Sequence, residues 1–163
     1  MASGVAAYRG RRVDLAAFRG LAAAAPGLAG ARPLAHQLVR PGDGGRLVAG
    51  VEKLAQRVLL VLLTRRGSRR YAPAEGTAFM ADAASGRWRT VADVTASFYS
   101  ARLDVVRQCR AAESADDPPD ERLRGLDLEG VVLSGDKVTL RLRLTTEAGS
   151  GYTFLTPIAV PLR

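Results

Sequence analysis

The sequence predicts an α+β protein, with two main helices packed on a small C-terminal antiparallel sheet and an extended N-terminal arm. Three observations carry that prediction. Apolar residues recur at helical spacing between Leu47 and Thr64 and again between Thr90 and Cys109, and from Leu126 onward the apolar period becomes two. Before Leu47, glycine and proline interrupt every possible element. Helices followed by a run of strands with short turns define this class, because parallel strands would need crossover helices between them.

The arm is residues 1–46, where Ala, Gly, Pro and Arg surround widely spaced large apolar groups. Pro26, Gly27, Gly30, Pro33, Pro41, Gly42, Gly44 and Gly45 break any long element. Within it, Val13 to Ala24 reads as a short helix with Phe18 and Leu21 on one side, able to dock on the body or on a neighbour. Residues 47–163 form the packed domain.

The first main helix is expected from about Leu47 to Thr64, with Val51, Leu54, Ala55, Val58, Leu59 and Leu62 on one face. Its last two turns are apolar all round, which places that end at the core centre or in an obligate interface. Arg65 and Arg66 then face the negative end of the helix dipole, and Gly67 is the expected left-handed closing residue. Residues 67–86 read as an ordered loop with a short turn around Phe79 and Met80.

Thr90 and Asp93 approximate a capping box for the second helix, whose stripe is Val91, Val94, Phe98, Ala101, Val105 and Cys109. That stripe makes Cys109 a packing residue. Pro118 and Pro119 stop the helix, since proline lacks the N–H donor and clashes with the preceding turn. Residues 137–144 then alternate without error, Val138, Leu140, Leu142 and Leu144 against Lys137, Thr139, Arg141 and Arg143. Residues 127–133 pair with them through Ser134-Gly135-Asp136, and Ala148-Gly149-Ser150-Gly151 leads to a third strand at Tyr152 to Thr156. Pro157 and Pro161 cannot donate ladder hydrogen bonds, so this strand belongs at a sheet edge, open to a partner strand or covered by the arm.

Composition bounds the function. A chain of 163 residues buries roughly 70% of its unfolded surface, and 47% apolar with 25% charged residues is ordinary for a globular domain. A single cysteine excludes an intramolecular disulfide, so a reducing cytoplasm is the expected setting. The longest apolar run, Val58 to Leu63, is far short of a membrane span. Arg9, Arg11, Arg12, Asp14 and Arg19 interrupt any secretory signal core, which leaves an organellar transit peptide as the alternative use of the N-terminus. Residues 1–72 hold 13 Lys and Arg against 3 Asp and Glu, net +10, whereas residues 73–163 hold 11 against 13, net −2. Such a basic half suits an acidic protein face or nucleic acid, although a GC-rich genome accounts equally well for the excess of Ala, Gly, Arg and Val.

Catalytic constellations are lacking. The one histidine, His36, lies in the arm, and Cys109 has no histidine near it in sequence. Soft and imidazole metal ligands total two residues, so neither a metal nor a cofactor is expected. Glu75, Asp116, Asp117, Asp120 and Glu121 are enough carboxylates for a general acid and base, yet nothing in their spacing singles out two. Four of them sit in a proline-broken loop where solvated acids are the rule. The turn Arg65-Arg66-Gly67-Ser68-Arg69-Arg70 lacks the spacing of a phosphate-binding loop. Its arginines suit bidentate pairing with carboxylates, on the 116–121 loop or on another subunit.

Residues 51–69, followed by Pro73 and Gly76-Thr77, resemble the baseplate wedge family of contractile bacteriophage tails, also called the lysozyme-like wedge or sheath-initiator family. Leu62, Leu63, Thr64, Gly67, Arg69, Pro73, Gly76 and Thr77 carry the likeness, which spans about residues 47–145. Asp120-Glu121-Arg122 stands where that family has Glu-Pro-Arg, matching an acidic residue and the arginine but not the proline. The resemblance implies a non-enzymatic structural subunit that joins other wedge proteins and initiates the inner tail sheath by strand addition, within a virion baseplate assembled in a bacterial host. Partner-binding residues would then be Arg65, Arg66, Gly67, Arg69, Asp120, Glu121, Arg122, Tyr152, Thr153, Phe154 and Leu155. Tail tube or hub proteins are further partners it implies, and a membrane is not. The alternatives are a peptidoglycan hydrolase of a tail, using two of the carboxylates, and a nucleic-acid-binding module acting through the basic half.

Overall fold

The computed structural model describes residues 11–19, 35–36 and 47–160, and the expectations for residues 20–34, 37–46 and Pro161 lie outside them. So does the side chain of His36. Two short pairings come first: β1 (Asp14–Leu15) pairs antiparallel with β4 (Leu47–Val48), and β2 (Phe18–Arg19) with β3 (Ala35–His36). Residues 14–15 and 18–19 are therefore extended, which corrects the helix expected from Val13. The spacing of Phe18 misled because its burial, at 4% exposed, comes from docking in the main core rather than from a helical face. Gln56 holds this segment: its side chain accepts from the Ala17 N–H at 2.7 Å and donates to the Leu15 carbonyl at 2.9 Å.

Helix α1 (Gly50–Leu63) begins three residues later than the apolar pattern suggested, because Leu47 and Val48 are used in β4. Gly50 has φ +62°, a left-handed value that glycine adopts without penalty and that turns the strand into the helix. Leu54, Ala55, Val58, Leu59 and Leu62 are buried as the period required. The C-terminus is closed differently from expectation. Thr64 bonds its hydroxyl to the Leu60 carbonyl at 2.5 Å, and Thr77 reaches back to the Leu62 carbonyl at 2.9 Å. Gly67, at φ +80°, shapes the following turn, and neither Arg65 nor Arg66 lies in the last helical turn.

Helix α2 (Phe79–Ala84) occupies the last third of the expected loop, at the short turn expected around Phe79 and Met80, and Phe79 is completely buried. Its ring lies 4.5 Å from Trp88 and 6.4 Å from Phe98, centroid to centroid, joining α2 to α3 (Val91–Ala111). Thr90 and Asp93 form the capping box in both directions. Val94, Phe98, Ala101, Val105 and Cys109 face the core, while Val91 stays largely exposed at the first turn. A 3-10 turn (Pro119–Glu121) follows where proline ended the helix.

The sheet has the order β5-β6-β7, from β5 (Leu123–Ser134), β6 (Lys137–Thr146) and β7 (Gly151–Ala159), all antiparallel. Val138, Leu140, Leu142 and Leu144 point into the core, as their alternation required. Aromatic packing matters more than so few aromatics suggested, since all four phenylalanines are buried. The fold is α+β, and no described helix is long and apolar enough to cross a membrane.

Candidate functional site

The motif residues after α1 build a clasp. The Arg66 N–H donates to the Thr77 carbonyl at 3.0 Å, Thr77 N–H to Thr64 at 2.9 Å, and Gly67 N–H to Pro73 at 3.0 Å. Gly76, at φ +87°, presses so close that an added Cβ would sit 2.3 Å from the Thr64 carbonyl oxygen. Gln108 of α3 grips both peptide groups of Gly76, accepting from its N–H at 2.8 Å and donating to its carbonyl at 3.0 Å. Thr64, Gly76 and Thr77 thus serve the architecture, and the arginines hang outside it. Arg65 is exposed and has no ion pair among the described residues, Arg66 pairs with Asp104, and Arg69 pairs with Glu75 at 2.7 Å.

These arginines do not meet the acidic loop, contrary to one expectation. The two features sit at opposite ends of α1, about 20 Å apart for 14 helical residues. The acidic loop instead meets cations at the start of α1. Arg11 bonds Asp120 at 2.7 Å, Arg12 approaches Asp117 at 4.0 Å, and Lys53 bonds Glu121 at 2.7 Å. The other Glu121 oxygen accepts the Gly50 N–H at 2.8 Å, one of the amides that a helix start leaves unsatisfied. The expectation of a solvated loop therefore holds for Asp116 alone. Asp117 and Glu121 are buried, and Asp120 is half-buried.

Arg122 is half-buried, its Nε is enclosed without a hydrogen-bond partner among the described residues, and its carbonyl accepts the Glu147 N–H at 3.1 Å at the base of the β6–β7 turn. On β7, the register places Tyr152, opposite Leu144, and Phe154, opposite Leu142, on the core side, with their rings 5.8 Å apart. Thr153 and Leu155 lie on the other face, Thr153 half-buried and Leu155 8% exposed. What these four residues can offer a partner is mainly backbone.

The two sheet edges are treated differently. Along β5, α3 sets arginines against main-chain carbonyls: Arg102 donates to Leu126, and Arg110 donates to Leu123 at 3.2 Å and Arg124 at 2.7 Å. These bonds lie at the start of the twelve-residue strand, among residues 123–126. Along β7, β6 is the one strand neighbour among the described residues.

Sequence reasoning missed Arg11, Gln56 and Gln108 because no local period marks them. Lys53 and Gln56 lie in the first half of α1, ahead of its apolar run, and both are 4% exposed.

Two carboxylates are held toward the ionised form. Hydrogen bonds from Thr90 hold Asp93 below the ordinary carboxylate range, and the Ser114 N–H does the same for Asp117. For Asp117 this is opposite to the displacement that the acid of a glycoside-hydrolysing pair needs. Burial pushes the Cys109 thiol up to about 12. Among the described residues, no group of His, Cys, Asp and Glu is arranged to hold a metal ion.

No family model and no curated protein matches the chain. Among solved structures it is similar to a protein of Geobacter sulfurreducens provisionally described as a tail lysozyme. The TM-score is 0.39 at 12% identity, over 68% of this chain and 91% of that one. A likeness of that degree carries no argument about function.

Proposed function

We propose that this chain is a structural subunit of a contractile tail or related injection machine, joining wedge proteins and initiating the inner sheath by strand addition to β7. One observation supports it above the others. The three-stranded sheet has one edge strand, β5, whose first carbonyls, those of Leu123, Arg124 and Leu126, are engaged by Arg102 and Arg110, and a second, nine-residue edge strand with β6 beside it. An extended segment added there gains main-chain hydrogen bonds along its length, while alternate side chains set register. Arg65 and Arg122, with Arg66 and Arg69 freed from their surface pairs, supply guanidinium forks for carboxylates of the wedge partners. Tail sheath protein is the strand donor in this reading, and tube or hub proteins are neighbours. The working location is the tail baseplate of a virion.

Hydrogen–deuterium exchange on the full chain, with and without the sheath protein, tests this directly. Amides of residues 151–159 gain protection on mixing, and Thr153→Pro, checked by circular dichroism for a retained fold, abolishes sheath assembly. Normal sheath rings without added protection on β7 would remove strand addition. A muralytic assay addresses the rival: peptidoglycan turnover that is lost on Glu75→Gln or Asp117→Asn would replace the assembly reading altogether.

A further inference from the structure

Helix α1 has a second apolar stripe besides its core face. Arg57, Leu60 and Val61 share one side of the helix and line a groove of about 440 Å³, closed opposite by Ala111 of α3 and at one end by the Arg69–Glu75 pair. Leu60 and Val61 are only partly buried, which accounts for the helix end that is apolar all round. Arg57 is half-buried at this apolar floor and has no ion pair among the described residues. Of the charged residues that line the groove, Arg69 and Glu75 neutralise one another and Arg57 remains, net +1.

We propose that this groove docks an acidic amphipathic segment of a partner protein, placing apolar side chains on Leu60 and Val61 and a carboxylate against Arg57. An unpaired guanidinium beside an apolar floor favours a bidentate carboxylate, and partial desolvation strengthens the attraction beyond that of a flat surface pair. The occupant is a peptide and not nucleic acid, because the floor is aliphatic, has no ring to stack a base on, and is flanked by the Glu75 carboxylate. Docked apolar side chains at helical spacing match a groove laid between two helices. This extends the assembly reading to a second surface without needing the sheet edge.

Fluorescence anisotropy on the full chain tests it. The probes are a labelled helical peptide with leucine at i and i+4 and glutamate elsewhere, its lysine counterpart, and a single-stranded oligonucleotide. The glutamate peptide binds, Arg57→Glu weakens it about tenfold or more, and Arg124→Glu, the same charge change on β5, leaves it within about twofold. Val61→Ser weakens it while circular dichroism stays native, and the Gly76 and Ala111 amides shift in NMR spectra on titration. Equal weakening by both arginine reversals reduces the effect to net charge and overturns the proposal. Tighter binding of the lysine peptide or the oligonucleotide, or no binding of the glutamate peptide at its solubility limit, overturns it as well. Retained peptide binding with an unprotected β7 would leave this groove standing and remove strand addition alone.

Discussion

The Lys53 ammonium lies 2.7 Å from the Glu121 carboxylate, and the two side chains are 4% and 3% exposed. Each ion depends on the other, because a buried charge without its counterion keeps the cost of leaving water and loses the attraction that offsets it. Glu121 also satisfies the Gly50 amide, so a single carboxylate joins the 3-10 turn to the start of α1.

Removing one partner should therefore cost more than removing both. Lys53→Met leaves Glu121 with Arg11 at 3.5 Å as its remaining counterion and destabilises the fold by about 3 kcal/mol in urea unfolding. Lys53→Met combined with Glu121→Leu regains part of that loss. Single variants within about 1 kcal/mol of wild type would show that water or a shifted loop relieves the charge.

Two glycines with similar backbone angles should respond differently. An alanine at position 67 meets open space, so Gly67→Ala costs about 1 kcal/mol from its positive φ alone. At position 76 the new Cβ adds a clash with backbone, and Gly76→Ala costs about 3 kcal/mol or more. Similar midpoint shifts in the two variants would contradict the clasp geometry.

The Ser114 N–H, with Lys53, Arg12 and Arg57 adding to it, lowers the Asp117 pKa in the folded state relative to the unfolded one. A depressed carboxylate contributes stability that is complete above the unfolded value of about 4 and disappears as pH falls through the folded value. Asp117→Asn should accordingly be less stable than wild type near neutrality, with the gap closing below about pH 4. A gap that stays constant down to pH 3 would show that the aspartate acts by shape and not by charge.

Cys109 is fully buried, with its thiol pushed up to about 12, so it is neither ionised nor reachable at neutral pH. A chromogenic disulfide reagent should leave the native protein unmodified and label one thiol per chain once denaturant is added. Rapid labelling of the native protein would mean that α3 opens at its C-terminal end.

Much of the fold was legible because local rules write it. The spacing of Leu54, Val58 and Leu62 specified which face of α1 turns inward, and Thr90 with Asp93 marked the start of α3. The alternation from Lys137 to Leu144 placed β6 with its core side correct. The candidate site was less legible. Arg65, Arg66 and Arg69 stood out as a cluster, but nothing local said that Glu75 and Asp104 would take two of them.

By itself, then, the sequence determined the α+β order, the inward faces and the points where proline stops a helix, since each depends on neighbours within a turn or a strand. Tertiary structure alone decided that Phe18 enters the core, that Glu121 faces Lys53 across 68 residues of chain, and that Arg102 and Arg110 engage one sheet edge. The physical reason is range: periodicity is a property of adjacent residues, whereas charge pairing and edge protection depend on where the whole topology brings distant groups together.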